Sequence, residues 1–569
     1  MCGIHGVIST ATIPSISQEL RNLLSNRGPD HLGQVSRELP FENGDSIIYL
    51  NFTSTVLALR GDHIAKQPLE SPTTGSVLCW NGEAWRIDGQ SISSNNDGEL
   101  ILAKLDAIDA SSPEDRESHI LNILRSIDGP FAFLFYDSQI KRLYFGRDRL
   151  GRRSLLFNQA EDGNSISFSS IADVPTTGWK EVEALGIYCL DLATRIATPS
   201  GLKLDTRTIK YDWAPSGGDD MVSSIANFNM TMPPPEHKLD LDSSTVELVK
   251  HWLCESLKLR VLNIPEPPNP LSDKDIRVAV LFSGGLDSTT LARLAHDLVP
   301  ADQGIDLINV AFQNPRQNSV DKTIPNLNAA DNYEACPDRK TGRKAFAELK
   351  ATCPTRYWRF IAVNISFEEA ISHKSRVISL MYPHNTEMDL SIAYALYFSA
   401  RGIGYSYIDG CEWEPSPLCV TSPARVLLSG LGADELFGGY TRHEIAFKLG
   451  GYERLLEELK LDIGRIGQRN LGRDDRVMAH WGKEVRHPFL DEEFVRFAVS
   501  SPVWEKCDFQ NKFHPAVIDP AKRVLRLMAD KLGLSGIARE KKRAIQFGAR
   551  TANIESTTGK RRGTTLVTA

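Results

Sequence analysis

A cysteine stands directly after the initial methionine, in the run Met1-Cys2-Gly3-Ile4. Removing Met1 leaves a thiol and a free α-amine on one residue, and a terminal amine with a pKa of about 7.7 can act as base toward its own thiol. The sulfur is then a nucleophile for acyl transfer. A cysteine at position 2 also reads as a small residue placed by chance, so its company decides. Asn81-Gly82, after a β-rich run, pairs a side-chain amide with a glycine N–H, a donor set suited to an oxyanion. Arg60 can clamp a carboxylate through two parallel hydrogen bonds, and Glu83 and Asp97 can hold an ammonium group. Together they fit an amino-acid amide. Taken singly, Asn81-Gly82 reads as a hairpin turn, Arg60 as a surface charge and Asp97 as a turn former.

A second constellation lies in the C-terminal half. Ser283-Gly284-Gly285-Leu286-Asp287-Ser288 sits between an apolar run ending at Phe282 and a helical pattern starting near Ser288. Glycine N–H groups, hydroxyls and a helix N-terminus make a phosphate cradle. It has neither the lysine of a Walker A loop nor GxGxxG spacing, and alone it also reads as a turn with an N-cap. A second loop, Ser429-Gly430-Leu431-Gly432-Ala433-Asp434-Glu435, follows the apolar run Arg425 to Leu428. Asp287 and Asp434 thus fall at the C-terminal ends of strands, where open α/β sheets bind ligands. Two such carboxylates can share a Mg²⁺ that neutralises a leaving pyrophosphate. Lys542 or Arg543 can add positive charge there.

The elements that position these residues change character along the chain. Up to about residue 205 the sequence reads as short strands and turns with few helices, one of them Glu99 to Ile108. Residues 206–272 read as a connector with proline clusters and one helix, Ser244 to Arg260. From 273 to 550 apolar strands alternate with helices, which predicts a parallel sheet covered on both faces. The stretch 551–569, with Lys560-Arg561-Arg562, reads as an unpacked tail.

Composition closes off other classes. Among 569 residues, 65 Lys+Arg face 72 Asp+Glu for a net charge of −7, which disfavours a general nucleic-acid or anionic-membrane surface. No run approaches the ~18 to 20 apolar residues of a membrane span. Nine cysteines, an odd number without a CxxC pair, argue against a disulfide framework or zinc site. The expected location is the cytosol.

Residues 1 to about 200 resemble the class II glutaminase domain of glutamine amidotransferases. The likeness rests on Cys2-Gly3-Ile4, Arg27-Gly28-Pro29-Asp30, Asn81-Gly82-Glu83, Asp128-Gly129-Pro130-Phe131 and Gly146-Arg147-Asp148. It implies an N-terminal-nucleophile αββα sandwich in which Cys2 attacks the γ-amide of glutamine, with Arg60, Asn81, Gly82, Glu83 and Asp97 around the substrate. The second half resembles the ATP-pyrophosphatase domain of asparagine synthetases, an α/β parallel-sheet fold, through the two glycine loops, Phe437-Gly438-Gly439-Tyr440 and Glu484 to Asp491. That implies ATP and Mg²⁺ as cofactors, an acyl-adenylate of a carboxylic acid such as aspartate, and ammonia delivered through an internal channel. Leu281, Ser283, Gly284, Gly285, Leu286, Asp287, Ser288, Ser429 and Gly430 would surround the nucleotide, with Lys542 and Arg543 on the pyrophosphate. A homodimer is compatible with this.

Two positions depart from an asparagine maker. Asparagine synthetases carry Glu where this chain has Leu431, which can neither accept a proton nor hold an ammonium-like intermediate. Asp389 aligns over a segment that supplies a cation for aspartate; it either repels that carboxylate or, if the alignment is displaced by several residues, is solvated or caps the helix through Ile392 and Leu396. With Pro337 to Arg343, these departures resemble the asparagine synthetase domain-containing subgroup. An acid other than aspartate, or a glutamine- or ATP-binding regulator without turnover, are the alternatives.

Overall fold

The computed structural model describes residues 2–11, 15–40, 47–92, 96–173, 178–192, 208–214, 224–266, 275–313, 329–406, 418–510, 518–553 and 564–567. Residues 215–223 and 267–274 of the connector and the basic run 560–562 lie outside them. The chain forms two compact units. One comprises Met1–Ile225 with Gly464–Gly482, the other Ala226–Ile463 with Lys483–Ala569.

Alternation within strands builds the first unit. In Phe131–Asp137, Ala132, Leu134 and Tyr136 join Ile4, Ile8, Leu50 and Phe52 in one buried cluster. Phe131, Phe133 and Phe135 point the other way, onto Ile101, Leu105, Ile120 and Leu124 of helices Asp97–Asp106 and Pro113–Arg125. A period of two with both faces apolar requires a sheet covered on both sides. Two six-stranded sheets pack face to face, and both are antiparallel where their strand pairs are described. Helix Gln18–Arg27 lies against strands Gly3–Ser9 and Ile47–Val56 of the first sheet. This is the αββα sandwich. Helix Pro113–Arg125 is absent from the sequence reading, although Ser112 caps it and Pro113 opens it, because its buried Ile120, Leu121 and Leu124 occupy only the second half.

The second unit centres on a seven-stranded sheet. Five strands are parallel, in the spatial order Trp358–Ile365, Ile305–Phe312, Val278–Leu281, Val426–Leu428 and Glu484–Arg486. The predicted all-parallel sheet is corrected at one edge, where Ile403–Ser406 and Leu418–Thr421 pair antiparallel. Numbering the parallel strands along the chain gives 3-2-1-4-5, so the order reverses beside Val278–Leu281. That reversal opens a crevice at the strand ends. The connector helix, Ser244–Val261, is packed into this unit: Arg260 pairs with Asp491 at 3.0 Å with both side chains buried. Of the stretch 551–569 the described residues are 551–553 and 564–567, and the latter have backbone partners. Leu566 bridges Thr386, and Glu387 N–H donates to Thr565 O at 2.9 Å.

Candidate active sites

Strand Gly3–Ser9 runs between two partners in the first sheet, so Cys2 enters at the head of a wholly buried strand. A Cβ on Gly3 would lie 2.7 Å from Thr55 Oγ1, and the Gly3 N–H donates to that oxygen at 3.0 Å. Strand Val77–Gly82 of the second sheet packs against it and carries Asn81 one residue before its end. The Cys2 main-chain nitrogen donates to Asn81 Oδ1 at 3.0 Å. Asn81 is wholly buried, and its Nδ2 has no hydrogen-bond partner among the described residues. An unmet buried donor costs about 1–3 kcal/mol, which an arriving oxyanion would recover.

A small cleft opens here, lined by Cys2, Arg60, Gln67, Gly82, Glu83 and Asp97 among others. Arg60 is fixed by donation to Ala84 O at 2.5 Å and Ile92 O at 2.9 Å, lies over the Trp85 ring at 5.2 Å and pairs with Glu83 at 3.4 Å. Asp97 Oδ2 accepts from Trp80 Nε1 at 2.9 Å and from Ala84 N at 2.7 Å. The structure therefore brings these residues together. Arg60 is partly covered within the cleft, not a surface charge, and Asp97 begins a helix that Asn96 caps.

Behind Cys2 lies an ionic core that the sequence did not disclose. Arg27 donates from Nε to the Cys2 carbonyl at 3.4 Å and from Nη2 to Asp475 at 2.7 Å. Asp475 sits in helix Gly472–Ala479, inside the segment that returns to this unit. It also accepts from Ser154 N at 3.2 Å and lies 3.5 Å from Arg153. Burial opposes its charge, but Arg27 and Arg153 overcome this and hold the carboxyl below the ordinary range. Arg476 reaches Glu181 and Ser154, each at 2.8 Å. The 1–205 boundary therefore omits residues on which the first unit's interior is built.

In the second unit the two glycine loops flank the strand-order reversal. Gly284 (φ +78°) and Gly432 (φ +102°) take left-handed conformations that favour glycine. A Cβ on Gly430 would lie 2.8 Å from Asp287 Cβ, so one loop touches the other. Gly342, in helix Pro337–Thr352, lets that helix approach Gly284, which explains part of the Pro337 to Arg343 signature.

The decisive side chain is one the sequence reading missed. Lys522 Nζ lies 2.8 Å from Asp287 and 2.9 Å from Asp434, with Lys542 3.4 Å from Asp434. Burial disfavours the Lys522 charge, but the two carboxylates outweigh it and raise the group above its usual range. Burial likewise disfavours the Asp434 anion, yet Lys522 and Lys542 hold its carboxyl down to about 2. Asp287 moves upward, through burial, against the pull of Lys522. Lys522 is left-handed at φ +54° while capping helix Arg523–Lys531, a non-glycine strain of the kind that clusters at functional sites. No local pattern marks it in the sequence. Arg543 donates to Thr341 Oγ1 at 2.9 Å, next to Gly342 where that helix meets Gly284.

Of the two departures, Asp389 takes part in a capping box. Its carboxylate accepts from Thr386 N and Thr386 Oγ1 at the start of helix Glu387–Arg401, while its own N–H bonds Thr386 Oγ1. Leu431 stays in the loop, partly exposed. Glu435, in the short helix that follows, receives the Tyr440 hydroxyl at 2.6 Å, and burial with Asp434's charge pushes its carboxyl up to about 7.

Residues 1–179 match the glutamine amidotransferase domain model, and residues 447–562 the asparagine synthase model. Asparagine synthetase domain-containing protein 1 of Bos taurus is 34% identical, over 98% of this chain and 96% of the relative. The chain belongs to the asparagine synthetase domain-containing protein family. The Homo sapiens member is 32% identical over 98% of this chain and 96% of its own. A putative glutamine-hydrolyzing asparagine synthetase of Methanocaldococcus jannaschii is 24% identical over 88% of this chain and 81% of its own. Among solved structures, a glutamine phosphoribosylpyrophosphate amidotransferase from B. subtilis matches at 13% identity over 64% of this chain and 81% of that one, with a TM-score of 0.27. This asparagine synthetase domain-containing protein thus joins the two domain types of a glutamine-dependent amidotransferase. Among the described residues no helix is long and apolar enough to cross a membrane.

Proposed function

We propose that the protein hydrolyses glutamine at Cys2 and that the ammonia amidates a carboxylic acid activated by ATP as an acyl-adenylate, with release of AMP and pyrophosphate. Asn81 carries the assignment: one end of its amide holds the Cys2 nitrogen while the other is a buried donor without a partner among the described residues. On removal of Met1, the Cys2 amine takes the thiol proton and the sulfur adds to the γ-carbonyl, whose oxygen meets Asn81 Nδ2 and the Gly82 N–H. Collapse breaks the C–N bond, the ammonium-side proton returns with the leaving ammonia, and water then hydrolyses the thioester to glutamate. Arg60 takes the substrate carboxylate, and Glu83 and Asp97 take its ammonium group. Asn81→Ala lowers the kcat for glutamine hydrolysis by roughly 10²–10³-fold. Steady-state ammonia release, with KM changed far less, checks this.

In the second unit Asp287 and Asp434 are hard oxygen donors at a phosphate-binding crevice. Mg²⁺ uses one or two carboxylates plus substrate phosphates, so the pair fits it. Among the described residues no cluster of three or more His, Cys, Asp or Glu side chains is placed to hold a metal by itself. When bound there, Mg²⁺ would neutralise the charge of the leaving pyrophosphate. Lys522 orients the two carboxylates, and Lys542 adds a second cation on Asp434. The Ser283 to Ser288 cradle and Ser429-Gly430 take the nucleotide.

Leu431 favours a second reading, in which the acid is not aspartate. In the helix that follows, Glu435 accepts the Tyr440 hydroxyl and is a titratable group the sequence reading did not use. ATP–pyrophosphate exchange across a panel of carboxylic acids tests it. Exchange supported by an acid other than aspartate is the expected result, and exchange with aspartate alone overturns the altered acceptor. Glutamine or ATP binding by calorimetry with no hydrolysis of either would instead mark a regulator.

A further inference from the structure

We propose that Gln67 is a catalytic residue of the glutaminase centre, donating a hydrogen bond from its side-chain amide to the Cys2 sulfur and so stabilising the thiolate. The inference rests on Cys2 being the nucleophile, and adds a group that neither the domain matches nor the oxyanion argument supplies. Gln67 lines the cleft and is 5% exposed, and its Nε2 lies 3.7 Å from Cys2 Sγ, within reach of an N–H···S bond.

The direction of this contact is fixed by the other end of the amide. Gln67 Oε1 accepts the Trp80 N–H at 2.8 Å, in the strand that carries Asn81. That acceptance commits the oxygen to the backbone and leaves the NH₂ group toward sulfur. A flipped amide would face two N–H donors toward each other and give the sulfur only an acceptor. The Trp80 indole is held in turn by Asp97, so a single chain of bonds runs from the ammonium-binding carboxylate through Trp80 and Gln67 to the nucleophile. A donor aimed at sulfur favours the thiolate over the thiol and keeps Sγ pointed into the cleft while the amine holds the proton.

Gln67→Glu keeps an acceptor for Trp80 but presents an oxygen to the sulfur. Gln67→Met removes the donor at similar length. The full chain, with Met1 removed, is treated with iodoacetamide across pH, and modification of the Cys2 peptide is followed by mass spectrometry beside glutamine hydrolysis. For Gln67→Glu the pH midpoint of alkylation rises by about one unit, a tenfold loss of thiolate below it. Its hydrolysis defect grows with pH as the introduced carboxyl ionises, whereas the Gln67→Met defect, roughly tenfold in kcat below the thiol midpoint, shrinks as pH rises through it. KM for glutamine moves little in both. Unchanged alkylation midpoints in either folded variant overturn the proposal. Wild-type protein that alkylates at Cys2 but hydrolyses no glutamine overturns the glutaminase reading instead, which separates the two failures.

Discussion

Lys522→Met is expected to abolish ATP–pyrophosphate exchange, by ~10²-fold or more, and to destabilise the second unit by roughly 3–5 kcal/mol. The side chain is 2% exposed and bridges Asp287 and Asp434. Without it two partly buried carboxylates share a site with Lys542, 3.4 Å from Asp434, and the field of Arg526 to balance them. One must then take a proton or leave its place. Breaking a buried pair costs more than the pair contributes, because an uncompensated charge remains. Lys522→Arg keeps the charge in a planar fork and should recover most of the stability while recovering little exchange. Thermal melts with parallel exchange assays check both effects, and wild-type exchange by Lys522→Met would remove the lysine from the phosphate chemistry.

Asp475→Ala is the second large effect, and it acts on the other reaction. The carboxylate is wholly buried between Arg27 at 2.7 Å and Arg153 at 3.5 Å, so its removal strips the counter-charge from two buried guanidinium groups. A loss of roughly 3–5 kcal/mol in the first unit is expected. Arg27 also donates to the Cys2 carbonyl, so glutamine hydrolysis should fall ~10-fold or more in kcat even below the melting transition. Asp475→Asn, which keeps an acceptor for Arg27 and Ser154, should lie between. Because Gly464–Gly482 belongs to the first unit, a fragment ending at residue 225 should melt below the corresponding transition of the full chain. Differential scanning calorimetry of the variant and the fragment reads this, and unchanged melting of Asp475→Ala would show that the ionic core does not matter.

The contrast between these two residues and the rest of the site shows what a sequence can disclose. Cys2, Asn81, Asp287 and Asp434 were legible because each lies in a short motif whose chemistry is local: a chain start, a strand end, a glycine loop before a helix. Lys522 meets Asp287 across 235 residues and Asp475 meets Arg27 across 448. Neither belongs to a periodic or glycine-rich pattern, and only folding supplies the partner. Gln67 stood beside Pro68-Leu69 in the sequence without a role, since its role depends on Trp80 fixing the amide. The capping box of Asp389 with Thr386 is one of the two readings the sequence offered for it. The strand at Ile305–Phe312 followed from its continuous apolar run, whereas the antiparallel edge of the second sheet is a pairing choice that no local pattern encodes.

The most direct test of the account is release of labelled ammonia from amide-¹⁵N glutamine by the wild-type protein and by Cys2→Ala. Wild type should yield ¹⁵N-ammonia and glutamate in equal amounts, and Cys2→Ala none above buffer while still folding and still exchanging pyrophosphate. Equal release by both proteins would contradict the sulfur nucleophile on which the proposed nitrogen transfer depends.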